Sequence, residues 1–129
     1  MTREMLRAKV HRITVTERNV EYEGSLTLDA GLMEAGDMLP FERVEVYDVD
    51  NGSRFATYLI EGRRGSGVCG VNGAAARLTA PGHRLIIATY CGLSESEIPS
   101  HKPRVVLVDA ENRPTVVKDR EEAGARVRA

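Results

Sequence analysis

The residue types best suited to chemistry meet in one short stretch, residues 21–26, which runs Glu21-Tyr22-Glu23-Gly24-Ser25-Leu26. Most Gly-Ser pairs are turns or linkers. Here apolar and polar residues alternate on both sides of the bond, which is typical of strands. The Gly24–Ser25 bond is therefore either a tight turn or a stretch of backbone held in place for a chemical purpose.

Two further segments contain glycine in patterns that could bind a small ligand. Residues 62–67, Gly-Arg-Arg-Gly-Ser-Gly, could hold a phosphate, although no helix with a P-loop lysine follows them. In residues 72–76, Asn-Gly-Ala-Ala-Ala, small side chains would let a ligand approach the backbone, and a helix beginning there would offer free N–H groups. The alternative for residues 72–76 is a tightly packed turn that leads into a helical turn.

The cysteines and histidines show no spacing typical of a metal site or a nucleophile. Cys69 and Cys91 form no CxxC pair, and no sequence neighbour supplies a base. His11, His83 and His101 are widely separated along the chain. We expect two buried or partly buried reduced thiols and no metal.

The elements that would position these residues begin with strands and one helix. Residues 5–16 alternate, with a phase slip near His11-Arg12 that predicts a bulge or bend. Residues 17–19 are predicted to be a polar turn before a strand at residues 20–22. Residues 29–36 are predicted to form one short helix with an aspartate N-cap and a terminal glycine.

The second part of the chain is again rich in predicted strands. Asp50-Asn51-Gly52 lies between alternating runs at 44–49 and 54–60, which predicts a hairpin. The other predicted elements are strands at 68–71, 84–91, 104–108 and 116–117, and a helical turn within 94–98. Six to eight short strands without an internal repeat indicate a β-barrel or sandwich, and a barrel is favoured because it leaves no exposed edge.

Length and composition indicate one ordinary soluble domain. The chain has 129 residues and a formal net charge of -1, which gives no electrostatic basis for binding nucleic acid or an anionic membrane. No apolar run is long enough to span a bilayer and the N-terminus lacks a signal-peptide core, so we expect a cytoplasmic protein. The charged residues 118–129 are predicted to be a disordered tail after a single domain, residues 1–117.

Several motifs, in this order and spacing, resemble one family. They are Lys9-Val10-His11-Arg12, Tyr22-Glu23-Gly24-Ser25, Asp50-Asn51-Gly52, Arg54-Phe55, Thr57-Tyr58, Arg64-Gly65-Ser66 and Val71-Asn72-Gly73-Ala74-Ala75-Ala76. From about Met5 to Asp109 the chain resembles the proenzymes of the aspartate 1-decarboxylases, the pyruvoyl-dependent enzymes that make β-alanine for pantothenate. The resemblance implies a small six-stranded double-psi β-barrel with short helical turns, assembled as a homotetramer.

The resemblance also implies that the chain makes its own cofactor. Decarboxylation of an α-amino acid needs an electron sink, which PLP usually supplies. In this family the Ser25 hydroxyl would attack the Gly24 carbonyl and form an ester. Elimination and hydrolysis of the resulting dehydroalanine would leave a pyruvoyl group at position 25. The products would be a β chain, 1–24, and an α chain, 25–129, with neither PLP nor a metal.

The remaining roles that the resemblance implies concern cleavage and substrate binding. The pyruvoyl group at Ser25 would form a Schiff base with L-aspartate, and Tyr58 resembles the residue that donates a proton to the carbanion. Thr57 resembles the residue that hydrogen-bonds the Gly24 carbonyl region during cleavage and later contacts substrate. Arg54 resembles the residue that binds the substrate carboxylate. The other implied substrate-binding residues are Lys9, His11, Asn72, Gly73, Ala74 and Ala75.

Two other classes of protein stay open at this point. One is a homologue that keeps the fold but remains uncleaved and inactive. The other is a barrel module that binds a small anion through Arg54, Arg63 and Arg64. The residues after Asp109 match no family motif, and the sequence does not indicate whether cleavage needs a helper protein.

Overall fold

The computed structural model describes residues 1–126 and is mainly β. The last three residues of the predicted tail, 127–129, lie outside the described residues. The helical elements are α1 (Ala30–Ala35) and two 3-10 helices, η1 (Gly73–Leu78) and η2 (Ile98–Ser100). The strands are β1 (Thr2–Thr14), β2 (Glu17–Asn19), β3 (Ser25–Asp29), β4 (Arg43–Asp48), β5 (Arg54–Gly62), β6 (Cys69–Asn72), β7 (Arg84–Ser94), β8 (Arg104–Val108) and β9 (Pro114–Lys118).

These strands form one mixed sheet in the order β2-β6-β3-β5-β4-β7-β1-β8-β9. The pairs β1–β8, β2–β6 and β3–β5 are parallel, and the others are antiparallel. The sheet is not closed by hydrogen bonds between its two end strands. The predicted mainly β class is confirmed, and the arrangement is consistent with a small β-barrel.

One apolar core lies between the strands. Its buried members come from strands along most of the sheet and from α1, so the sheet must wrap around a single interior. The largest of them are Ile13, Leu26, Leu28, Leu32, Leu59, Leu85 and Ile87. None of the helices in residues 1–126 has the length and apolar character needed to span a membrane.

The predicted bend in the first strand and the predicted helix are both confirmed. Arg12 has φ 63, and the register of β1 against β7 shifts between Val10 and Ile13. Asp29 is the N-cap of α1, where its side chain accepts a hydrogen bond from the Gly31 backbone N–H. Both features therefore follow from local sequence signals.

The predictions for residues 17–22 are wrong. Residues 17–19 are strand β2, and residues 20–22 are a turn and bend. The polar composition of Glu17–Asn19 favours a turn, but β6 provides a parallel partner from Gly70 to Asn72. Pairing with a distant strand therefore outweighs local preference here.

The hairpin of β4 and β5 is confirmed, but its loop is longer than a two-residue turn. The backbone N–H of Asp48 bonds to the Ser53 carbonyl, and Gly52 has φ 77. Residues 1–126 form nine strands, one more than the upper end of the predicted six to eight, and the short strand β2 at one end of the sheet was not predicted. Strand β7 also runs on to Ser94, three residues beyond the predicted end at residue 91.

Candidate active site

The Gly24–Ser25 bond lies where the turn after β2 meets the first residue of β3. Ser25 is 1% exposed and has φ 146. A non-glycine residue in such a backbone region costs about 1–3 kcal/mol, so the surrounding structure must hold it there. Strand β3 supplies that support, because β5 and β6 pair with it on its two sides. These observations favour a backbone held in place over a free linker.

The Gly24 carbonyl and the Ser25 hydroxyl each accept a hydrogen bond from a neighbouring strand. The Tyr58 hydroxyl on β5 donates to the Gly24 carbonyl oxygen at 3.0 Å. The Asn72 side-chain amide on β6 donates to Ser25 Oγ at 3.0 Å and to Thr27 Oγ1 at 3.1 Å. The carbonyl and the hydroxyl that would have to react are thus each in contact with a donor.

Gly73 packs directly against this bond. It has φ 69, and a Cβ at this position would lie 2.8 Å from Gly24 Cα and 2.9 Å from Gly24 N. The small residues of this segment were predicted to leave room for a ligand. At Gly73, the room is taken by the Gly24 backbone of the same chain. Beyond Gly73, Ala74 is exposed, whereas Ala75 is half-buried and packs against the apolar core.

Arg54 lies on the same strand as Tyr58 and on the same face. The two are four residues apart, about 13 Å along an extended strand. The guanidinium carbon of Arg54 lies 4.1 Å from the centre of the Tyr47 ring. The Tyr47 hydroxyl is 2.9 Å from the Tyr90 hydroxyl, and this hydrogen bond, together with burial, raises the pKa of Tyr90 to about 12.

Lys9 and His11 line a different cavity of about 90 Å³, together with residues of β8, β9 and the segment after β9. Lys9 Nζ is 3.0 Å from the Glu121 carboxylate. Burial first, and then the charges of Lys9 and Arg12, hold the pKa of His11 below its usual value. Neither Ser25 nor Tyr58 lines this cavity, so one chain by itself does not join the two groups.

The glycine-rich loop at residues 62–67 does not present an open phosphate cradle. Its backbone N–H groups at Gly65 and Gly67 donate to the Asp29 carboxylate at 3.1 Å and 2.8 Å. Arg64 pairs with Glu34 at 2.6 Å. A carboxylate of the chain therefore occupies the donors that an anion would need.

A family model described as aspartate decarboxylase matches residues 1–115. The chain belongs to the aspartate decarboxylase family. The aspartate 1-decarboxylase of Syntrophobacter fumaroxidans is 57% identical over 114 residues, which cover 88% of this chain and 92% of that protein. The aspartate 1-decarboxylase of Ralstonia pickettii is 50% identical over 119 residues, 92% of this chain and 99% of that protein. That of Cupriavidus necator is 53% identical over 112 residues, 87% and 93%. The resemblance seen in the motifs is confirmed.

The structure brings only some of the residues with family roles together. Gly24, Ser25, Tyr58, Asn72 and Gly73 form one contact group. Arg54 lies further along β5, and Lys9 and His11 lie in the separate cavity.

Thr57, expected at the Gly24 carbonyl, is half-buried and forms no side-chain hydrogen bond within residues 1–126, where Tyr58 contacts that carbonyl instead. The role of Thr57 in this aspartate decarboxylase family member stays a prediction.

Three residues that make contacts in these groups were not predicted to do so. Asp29 was predicted only as a helix N-cap, yet it also holds the glycine-rich loop. Glu121 lies beyond the residues that the aspartate decarboxylase model matches. Tyr47 lies in an alternating strand, and that alternation is a sequence signal only for the face of β4 on which it lies.

Proposed function

We propose that this chain decarboxylates L-aspartate to β-alanine and CO₂, using a pyruvoyl group that it makes from Ser25. One observation carries the proposal: Ser25 is buried with φ 146, beside a Gly24 carbonyl that accepts a hydrogen bond from Tyr58. A linker or a structural turn requires neither the strained backbone nor the two donors. Family membership supplies independent support.

The proposed self-cleavage uses groups of the chain and one water molecule. Ser25 Oγ adds to the Gly24 carbonyl carbon, the C–N bond breaks, and the hydroxyl proton passes to the released nitrogen. The ester that results loses the Ser25 Cα proton and releases Gly24 as a carboxylate. Water then replaces the nitrogen, which leaves as ammonia. Negative charge develops on the Gly24 carbonyl oxygen in the first step, where a hydrogen-bond donor stabilises it.

The proposed turnover assigns separate tasks to the chain's own residues. A pyruvoyl group at position 25 would supply the electron sink that no side chain offers. The Tyr58 hydroxyl, which contacts the Gly24 carbonyl oxygen, is suited to deliver a proton close to position 25. Arg54 would bind a substrate carboxylate through its N–H donors. Asn72, which contacts Ser25 Oγ in the uncleaved chain, would remain beside position 25 after cleavage.

We further propose that the working form is a homotetramer in which neighbouring subunits complete each site. Lys9 and His11 line a cavity apart from Ser25, so a second subunit would have to bring them together. Two aromatic side chains near the Gly24–Ser25 bond are also exposed to solvent: Tyr22 is 63% exposed and Phe41 is 77% exposed. The Phe41 ring lies 6.4 Å from the Tyr58 ring, so a subunit that covered Phe41 would also enclose the site. Light scattering with activity tests this, and an active monomer would contradict it.

The proposed cellular role is the supply of β-alanine for pantothenate, as the family resemblance implies, and the proposed location is the cytoplasm. Expression of the chain in a bacterium that requires added β-alanine tests this role. Growth without added β-alanine is expected with the wild-type chain and not with Ser25→Ala.

The direct test of the activity is β-alanine formation from L-aspartate by the purified chain. Ser25→Ala removes the hydroxyl that would attack and is expected to remain uncleaved and inactive. Full activity in Ser25→Ala would overturn the cofactor assignment. A wild-type chain that stays uncleaved and forms no β-alanine would favour the inactive homologue instead.

A further inference from the structure

Arg54 is held by an aromatic side chain across the β4–β5 hairpin. Tyr47 and Arg54 are direct cross-strand partners. The Arg54 guanidinium carbon lies 4.1 Å from the centre of the Tyr47 ring, a distance at which the ring face attracts a cation. The ring therefore covers one face of the guanidinium and restricts its orientation.

Tyr47 is itself fixed at both ends. Its backbone belongs to β4, and its hydroxyl lies 2.9 Å from the Tyr90 hydroxyl on β7. The pKa of Tyr90 is raised to about 12, first by this hydrogen bond and then by burial. The Tyr90 hydroxyl accordingly keeps its proton at neutral pH, and the hydrogen bond persists.

The N–H donors of Arg54 have no acidic partner in the part of the chain that the structure describes. The ion pairs among residues 1–126 all involve other cations. Glu45, on the same strand as Tyr47, pairs with Arg43 at 3.0 Å. An arginine with one covered face and free edge donors is suited to receive a carboxylate in the plane of its fork.

We propose that Tyr47, anchored by Tyr90, is a positioning residue that orients Arg54 to receive a carboxylate of L-aspartate. This inference rests on the proposed decarboxylase function, in which Arg54 binds the substrate. A purely structural role for Tyr47 would change the stability of the hairpin and leave the affinity for substrate unaltered.

Substitutions at Tyr47 separate these roles in the full-length, processed protein. Tyr47→Leu removes the ring face and is expected to raise KM for L-aspartate about two- to fivefold, with kcat and the processed fraction unchanged. Tyr47→Trp and Tyr47→Phe both keep a ring face but lose the hydroxyl that bonds to Tyr90. Their KM values should therefore lie between those of wild type and Tyr47→Leu.

Binding of succinate, a dicarboxylate without an amine, provides a measurement that does not depend on turnover. Calorimetry is expected to show a Kd about two- to fivefold higher in Tyr47→Leu than in wild type, and a smaller increase in Tyr47→Trp. An unchanged KM and Kd in Tyr47→Leu would overturn the inference, as would an equal loss of affinity in Tyr47→Trp. Should Tyr47→Leu not fold, Tyr90→Phe removes the anchoring hydroxyl alone, and a wild-type KM and Kd in that variant would overturn it.

The two proposals fail in different ways. A wild-type chain that forms no β-alanine refutes the proposed function, and the succinate measurement still decides whether Tyr47 orients Arg54. A chain that forms β-alanine with the same KM in wild type and Tyr47→Leu refutes the positioning role alone.

Discussion

Gly73 offers a sharp test of how tightly the Gly24–Ser25 bond is held. In Gly73→Ala, the new Cβ would lie 2.8 Å from Gly24 Cα and 2.9 Å from Gly24 N. Ordinary van der Waals contact begins at 3.4 Å, so the Gly24 backbone would have to shift by about 0.6 Å. We expect that shift to slow self-cleavage, because attack by Ser25 depends on the position of the Gly24 carbonyl.

The size of the effect follows from geometry. A misplacement of about 1 Å between reacting groups can cost about 10²-fold in rate, so a shift near 0.6 Å should slow cleavage about tenfold. Alanine at φ 69 also costs about 1–2 kcal/mol of stability through backbone strain. Gly52→Ala provides a matched control, because Gly52 has φ 77 and a Cβ there would meet nothing within 4 Å.

The assay is a time course of cleavage in freshly purified precursor, followed by denaturing mass spectrometry, with thermal unfolding measured in parallel. Both variants should lose similar stability from backbone strain, but Gly73→Ala alone should cleave slowly. Equal cleavage rates in Gly73→Ala, Gly52→Ala and wild type would refute the close contact between Gly73 and Gly24. Equal slowing in both variants would show that backbone strain, and not displacement of Gly24, controls the rate.

Three further variants test separate parts of the structure. In fully cleaved protein, Tyr58→Phe should lower kcat about 10²- to 10⁴-fold through loss of the proton donor, and an unchanged kcat would remove that role. Asp29→Ala should lower the free energy of unfolding by about 1–3 kcal/mol, because the N–H groups of Gly31, Gly65 and Gly67 lose their acceptor; a wild-type denaturant midpoint would contradict this. Glu121→Gln should change that free energy by less than about 1 kcal/mol, since its pair with Lys9 is partly exposed, and a larger loss would mean that the segment after β9 is an integral part of the fold.

The Asp29 carboxylate also gives the fold a dependence on pH. Burial alone would raise its pKa, but hydrogen bonds from the backbone of Gly67, Gly31 and Gly65 outweigh burial and hold the pKa below 3.8. The folded-state pKa is thus lower than the unfolded one, so the stabilisation is complete well above pH 3.8 and is lost as the pH falls through the folded value. The free energy of unfolding should therefore fall more steeply with decreasing pH in wild type than in Asp29→Ala, and identical pH dependence in the two proteins would contradict the assignment.

Local patterns predicted the elements that depend on neighbours in the chain. Asp29 and Gly36 bound the helix as expected, and the change of phase at Arg12 marks a real bend in β1. The hairpin around Gly52 follows from the same kind of signal. Each of these features is decided within a few residues, where backbone preference and side-chain alternation act directly.

Features that depend on partners distant in the chain were not predicted from the sequence. Residues 17–19 become a strand because β6 lies beside them. The Asp29 carboxylate is separated from Gly67 by 38 residues, and Lys9 from Glu121 by 112 residues. Motif resemblance named most residues of the candidate site, but it did not indicate which of them touch within one chain, because those contacts depend on the pairing of strands and on subunit assembly.

The mass of the purified chain under denaturing conditions shows directly whether the Gly24–Ser25 bond is cleaved. We expect two fragments, residues 1–24 and residues 25–129, with the larger one resistant to Edman sequencing because it carries no free α-amine. After prolonged warming, a single intact species of 14.2 kDa with a sequenceable N-terminus at Met1 would contradict the conversion of Ser25 into the cofactor.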